Sequence, residues 1–200
     1  MSKKNIVIFA SGNGSNFVNI YECINSGSIN ANLVLLISNN PKCGAVEFAK
    51  NNCIDFKIIN DFRYPLEKNK NKEYELVLDC YKTDLILLAG FMKKIPQNIV
   101  NIYKNRIMNI HPSLLPDYGG ESYYGMRVHN AVINANEKFS GATVHIVDNE
   151  YDKGPIIIQE KLSITKFDTA ETLSKKVLKI EHAIYPRAVK MFCLDEINNK

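Results

Sequence analysis

The sequence predicts an α/β fold: a mostly parallel central sheet with helices on both faces and a late antiparallel extension. Three observations predict it. Short apolar runs alternate with longer amphipathic stretches, the pattern of stacked βα units. Several of those runs are apolar at consecutive positions, as strands covered on both faces require. After residue 138 the rhythm changes, and Ser140–Val147 and Pro155–Leu162 read as two strands joined by a polar turn with no helix between them.

Taken in order, the strand runs are 5–10 (NIVIFA), 32–38, 55–59, 84–90 and 106–110. Helical spacing falls at 15–26, 43–52, 71–82, 97–104 and 127–136. A closing helix over 169–192 carries Leu173, Val177, Ile180 and Ile184 at helical spacing, and Pro186 is expected to bend or break it. The polar, lysine-rich stretch 60–72 reads as a mobile surface loop. With no repeat and no Gly/Ser linker, one domain over 1–200 is expected.

Composition narrows the function classes. At 46% hydrophobic and 23% charged residues the chain is neither disordered nor fibrous. A net charge of +4 argues against a dedicated nucleic-acid binder and suits an anionic small molecule. The five cysteines include no CxxC pair and the four histidines stand far apart, so reduced thiols and no metal site are expected. The apolar run behind Lys3 and Lys4 is too short for a signal peptide, and no segment approaches the roughly 20 apolar residues of a membrane span. A soluble, cytoplasmic protein is the expectation.

Two segments carry chemistry. The first strand runs into Ser11-Gly12-Asn13-Gly14-Ser15-Asn16 ahead of a helix. Glycines let a ligand approach the main chain closely, and helix-start N–H groups suit an anion. Position 17 is Phe, so the dinucleotide fingerprint fails, and no Gly-Lys-Ser/Thr follows for a P-loop. A plain β-to-α turn with a Ser or Asn cap explains the loop equally well. The second segment, Asn109-Ile110-His111-Pro112, follows an apolar strand. Residues i and i+2 share a side, so Asn109 and His111 project together at a strand end, where open α/β sheets bind ligands. An amide beside an imidazole suits charge developing on a carbonyl oxygen. An acidic residue from the turn Asp148–Gly154 folding back on His111 is expected to raise its pKa. His129 and His145 read as structural or surface residues.

Together these segments resemble the folate-dependent phosphoribosylglycinamide formyltransferase family. The matching pieces are SGNGSN (11–16), LAGFM (88–92), NIHPSLLP (109–116), GATVH (141–145), DKGP (152–155) and EHAIYP (181–186), in the family's order across nearly the whole chain. The resemblance implies a single Rossmann-like formyltransferase domain with Asn109, His111 and Asp152 as catalytic residues. It implies that Gly14, Ser15, Asn16 and Glu181 hold phosphoribosylglycinamide. Folate contacts are implied at Met92, Lys93, Lys94, Ile95 and Asn109, and in the turn Val147, Asp148, Asn149, Glu150 and Tyr151.

The implied co-substrate is 10-formyltetrahydrofolate, with no metal, no nucleic acid and no membrane partner, in a monomer or weak homodimer. Lys93 stands where the family often has Arg, which keeps the charge and loses the bidentate donor set. Arg63, Lys70 and Lys72 are alternative stand-ins for a second family arginine, and 117–126 is expected to be a mobile flap. Related families remain as rivals. A formyltetrahydrofolate hydrolase uses the same apparatus with an extra N-terminal domain. An initiator-tRNA formyltransferase appends a C-terminal one, and neither extra domain is expected here. A non-enzymatic nucleotide-binding regulator would leave Asn109 and His111 without a purpose.

Overall fold

A computed structural model describes residues 2–197. Seven strands hydrogen-bond in the order β3-β2-β1-β4-β5-β6-β7. They are β1 (Lys4–Phe9), β2 (Ala31–Ser38), β3 (Phe56–Ile58), β4 (Leu85–Leu88), β5 (Ile107–His111), β6 (Phe139–Ile146) and β7 (Ile156–Ser163). The mostly parallel α/β sheet with an antiparallel end is therefore what forms. Internal contacts divide the chain into two compact units, one ending at Met108 and the other starting at Asn109.

In the first unit β1 pairs in parallel with β2 and with β4, and β2 with β3. Neighbouring strand residues point to opposite faces. Ile6, Val7, Ile8 and Phe9 are nonetheless all fully buried, as are Leu85, Ile86 and Leu87, so both faces are covered. The helices are α1 (Ser15–Asn25), α2 (Gly44–Asn51), α3 (Glu67–Cys80) and α4 (Gln97–Ile102). Phe17 and Ile20 of α1 and Ala45, Val46 and Ala49 of α2 are buried.

The stretch 60–72 differs from expectation: it is a loop only to Leu66, and α3 begins at Glu67. Tyr74 and Leu78, one turn apart, are the buried anchors of this helix. Its lysines form a solvated face, with Lys70 Nζ 2.5 Å from Asp61. Glu73 holds the amine of Lys57 at 2.6 Å from the edge strand.

The second unit holds the antiparallel pair β6 and β7, α5 (Met126–Asn134) and α6 (Ala170–Cys193). Helix α6 starts from a capping box between Thr169 and Thr172 and lies against β6 and α5. It runs unbroken through Pro186. An interior proline costs about 3 kcal/mol. Ile184, Tyr185, Ala188 and Val189 around it are fully buried, and burying an aliphatic side chain returns about 1.5–3 kcal/mol. Packing on both sides of the proline outweighs its local cost.

The 147–155 turn is closed by Ile146 N–H donating to the Pro155 carbonyl at 2.9 Å. Gly154 sits under that bond, and a Cβ there would lie 1.8 Å from the Ile146 carbonyl oxygen. Gly154→Ala is therefore expected to force the backbone apart and lose about 1–3 kcal/mol. A urea-unfolding midpoint equal to that of the parent would contradict this.

Candidate active site

Strand β5 ends in Asn109, half-buried, and His111, 4% exposed. The turn after β6 carries Asp152 at φ +55°, a left-handed conformation that Asp tolerates better than most residues. These three residues converge. Asn109 Nδ2 donates to Asp152 Oδ1 at 3.3 Å. His111 Nδ1 lies 3.5 Å from Asp152 Oδ2.

A fourth residue, His145 on β6, joins them. Its Nε2 lies 3.1 Å from Asn109 Nδ2 and 3.4 Å from Asp152 Oδ1. Its Nδ1 lies 2.9 Å from the Ile146 carbonyl. A carbonyl only accepts, so Nδ1 carries a proton and Nε2 faces the other two residues. Reading His145 as merely structural or surface-exposed misses this. The available signal was a histidine inside the apolar run Gly141–Ile146, where a buried polar ring needs partners. His129 is buried on α5 and lowered to about 4 by desolvation, with His111 adding to the shift. It stays neutral at physiological pH and fits a structural role.

The segment following the proline-flanked turn closes over this cluster. His111 Nε2 donates to the Tyr118 carbonyl at 2.8 Å, and Gly120 N–H donates to Asp152 Oδ2 at 2.9 Å. Thr143 Oγ1 holds the preceding turn, donating to the Ser113 carbonyl at 2.7 Å and accepting from Leu115 N–H at 3.2 Å.

Electrostatics correct one expectation. Asp152 does act to raise the His111 pKa, but burial outweighs it and holds the imidazole below its ordinary value. Burial alone would push the Asp152 carboxyl up. The neighbouring His145 and His111 rings and the Gly120 N–H together reverse that and hold it below the usual carboxylate range. The result is an ionised carboxylate between two imidazoles.

In the first unit Gly14, at φ +75°, precedes α1 without any side-chain cap. Only glycine fits there: a Cβ would come within 2.7 Å of the Ala45 Cβ. Ser15 is exposed and Asn16 buried at the helix start. Met92, Lys93 and Lys94 are exposed and Ile95 is buried, and Met92 N–H donates to Ser11 Oγ at 2.8 Å. Lys93 and Lys70 both approach Asp61, at 3.5 and 2.5 Å.

In the second unit Val147 and Asp148 are half-buried, while Asn149, Glu150 and Tyr151 are exposed. Asp148 Oδ1 accepts from Glu150 N–H at 2.9 Å. Glu181 is half-buried on α6. Among the described residues no group of three or more His, Cys, Asp or Glu side chains could hold a metal ion. No helix among them is long and apolar enough to cross a membrane. None of the five cysteines is in a disulfide.

Residues 4–189 match the formyl transferase family. A chloroplastic phosphoribosylglycinamide formyltransferase of Arabidopsis thaliana is 40% identical over 98% of this chain and 67% of its own length. A second plant relative, from Vigna unguiculata, is covered over 62% of its length. The chain thus spans about two thirds of the plant proteins. The phosphoribosylglycinamide formyltransferase of Bacillus subtilis (strain 168) is 35% identical, with 98% of this chain and 97% of that protein covered. The crystal structure of a phosphoribosylglycinamide formyltransferase from Coxiella burnetii superposes with a TM-score of 0.88 at 36% identity, covering 96% of this chain and 88% of that one. The chain belongs to the formyl transferase family.

Proposed function

We propose that the protein transfers the formyl group of 10-formyltetrahydrofolate to the amine of 5'-phosphoribosylglycinamide, a step of purine biosynthesis, as one cytoplasmic formyltransferase domain. One observation carries the chemistry: Asn109, His111 and Asp152 converge within 3.5 Å. Its context is a chain 40% identical to a plant enzyme named for this acceptor.

The acceptor amine's lone pair attacks the formyl carbon and the C=O π pair moves onto oxygen. The tetrahedral intermediate then expels the folate nitrogen, which leaves with a proton. His111 is the donor to the developing oxyanion through Nε2–H. In the resting geometry the Tyr118 carbonyl takes that hydrogen bond, and substrate entry must displace it. Asn109 Nδ2 is committed to Asp152 and His145, so its contribution at the oxyanion requires one of those contacts to be exchanged. Geometry that tightens only in the substrate complex is common in resting active sites. Asp152 opposes the effect of burial and favours positive charge on the ring as the oxyanion develops, and with water it carries the proton from the amine to the leaving nitrogen. Holding donor and acceptor together supplies much of the remaining rate.

The loop Gly14, Ser15 and Asn16 is read as the phosphate cradle, since the first N–H groups of a helix lack intrahelical acceptors. Glu181 is read as the contact to the glycinamide portion. Met92–Ile95 and Val147–Tyr151 are read as folate contacts.

The test mixes protein and formylated folate with and without phosphoribosylglycinamide, and follows loss of the formyl donor by absorbance. Acceptor-dependent loss is expected. Acceptor-independent loss would mean hydrolysis, and no loss would leave a binding protein. Ser15→Ala is expected to raise KM for the phosphorylated acceptor about tenfold or more, the scale of a lost hydrogen bond to a charged group. An equal loss for a dephosphorylated analogue would remove Ser15 from phosphate binding.

A further inference from the structure

The loops that follow β1, β2, β3 and β4 are stitched together by polar side chains, and Ser11 is the junction. Ser11 is 8% exposed. Its Oγ donates to Asn39 Oδ1 at 2.5 Å and accepts from Met92 N–H at 2.8 Å. Its own N–H donates to the Gly90 carbonyl at 3.2 Å. Asn39 in turn accepts, at its carbonyl, from Asn60 Nδ2 at 3.0 Å. Asn60 Oδ1 accepts from Arg63 N–H at 2.9 Å. One chain of hydrogen bonds therefore runs from the loop after β3, through the loop after β2, to Ser11 after β1 and Met92 after β4.

The chemistry of this junction is restrictive. A hydroxyl has a single hydrogen, and here it is spent on Asn39, while a lone pair receives Met92. No rotation of the hydroxyl keeps both contacts if either loop moves. Buried polar groups are costly to leave unpaired, so displacement of one loop is transmitted to the other. Ser11 lies three residues before Gly14, and Met92 begins the segment Met92–Ile95.

We propose that Ser11 is a positioning residue that couples the two substrate subsites of this unit: order imposed on one loop by its ligand favours binding at the other. The inference rests on reading Gly14, Ser15 and Asn16 as the phosphate cradle and Met92–Ile95 as the folate contact. Coupling of this kind is reciprocal, so phosphoribosylglycinamide should tighten folate binding by the same factor as folate tightens the acceptor.

The experiment titrates tetrahydrofolate, which has no formyl group to transfer, into the full-length protein with and without saturating phosphoribosylglycinamide. In the parent protein the acceptor is expected to lower the tetrahydrofolate Kd about 5–10-fold, the low end of typical coupling. In Ser11→Ala the ratio should fall to about one, with each ligand still binding alone. Ser11→Thr, which keeps the hydroxyl, should restore it. Asn39→Ala removes the hydroxyl's acceptor and should abolish the coupling as well, which keeps the test readable should Ser11→Ala fold poorly. A ratio in Ser11→Ala or Asn39→Ala equal to the parent's overturns the proposal, and so does a parent ratio of one. Failure of the parent to bind either ligand overturns the underlying reading together with it, whereas normal transfer without coupling overturns the role of Ser11 alone.

Discussion

His111→Ala is expected to lower turnover about 10²–10³-fold, the usual consequence of removing one oxyanion donor, while both ligands still bind within a few-fold of the parent. The expectation follows from where the ring sits. His111 is buried at the end of β5, with Asp152 at Nδ1 and a carbonyl oxygen at Nε2. On the proposed mechanism, that carbonyl, from Tyr118, occupies the position the formyl oxygen takes. An alanine keeps the strand backbone and removes the donor together with the ring that faces Asp152, so the loss is expected in the chemical step and not in KM. Rapid-quench measurement of a single turnover with both ligands saturating separates the two. Near-normal turnover would remove His111 from the mechanism.

Asp152→Asn is expected to fold normally and to lose about 10²–10⁴-fold in rate, the range for a group engaged in proton transfer. The substitution keeps shape and removes charge. It also replaces one of two acceptor oxygens with a donor, although Asn109 Nδ2 and Gly120 N–H both need acceptors there. The pH dependence gives the sharper reading. Burial lowers the His111 pKa and Asp152 raises it. Removing the carboxylate leaves only the Tyr118 carbonyl to oppose burial, so the limb of the rate profile set by His111 should move to lower pH. An unchanged profile would take Asp152 out of the mechanism.

Stability should show the complementary sign. The Asp152 carboxyl is held below its ordinary 3.8 in the folded protein. Its contribution is therefore complete above that value and is lost as pH falls through the lower folded one. Asp152→Asn should lack that acid-dependent component.

Local rules made much of this legible in the sequence. Runs such as Ile6–Phe9 and Leu85–Leu88 are apolar without alternation, which betrays strands covered on both sides. Asn109 and His111 share a strand and stand two apart, so their joint projection follows from the pleat alone. Asp152 is different. Its approach to His111 depends on how the 147–155 turn closes, a tertiary event with no local signature, and only the family resemblance singled it out. His145 carried only a partial local signal: its place in an apolar run says that a buried ring needs partners, while which partners it finds is again decided by how the turn closes.

Tertiary packing also decided where α3 begins and that α6 is not broken. Helix α3 starts within a lysine-rich stretch because Tyr74 and Leu78 anchor the helix, which leaves the lysines free to face water. Helix α6 survives Pro186 because Ile184, Tyr185, Ala188 and Val189 are buried around it. The ionisation of His111 was misjudged in kind: the sequence suggested a carboxylate neighbour, while the depth of burial that overrides it exists only in the folded chain.

The central claim is that His111 and Asp152 act as one unit on the transferred formyl group. A double-mutant cycle on the single-turnover rate, using His111→Ala, Asp152→Asn and the pair, measures that directly. If they act together, the double variant should be little slower than the worse single one, because each substitution already disables the pair. Losses that multiply, as for two independent sites, would contradict the account.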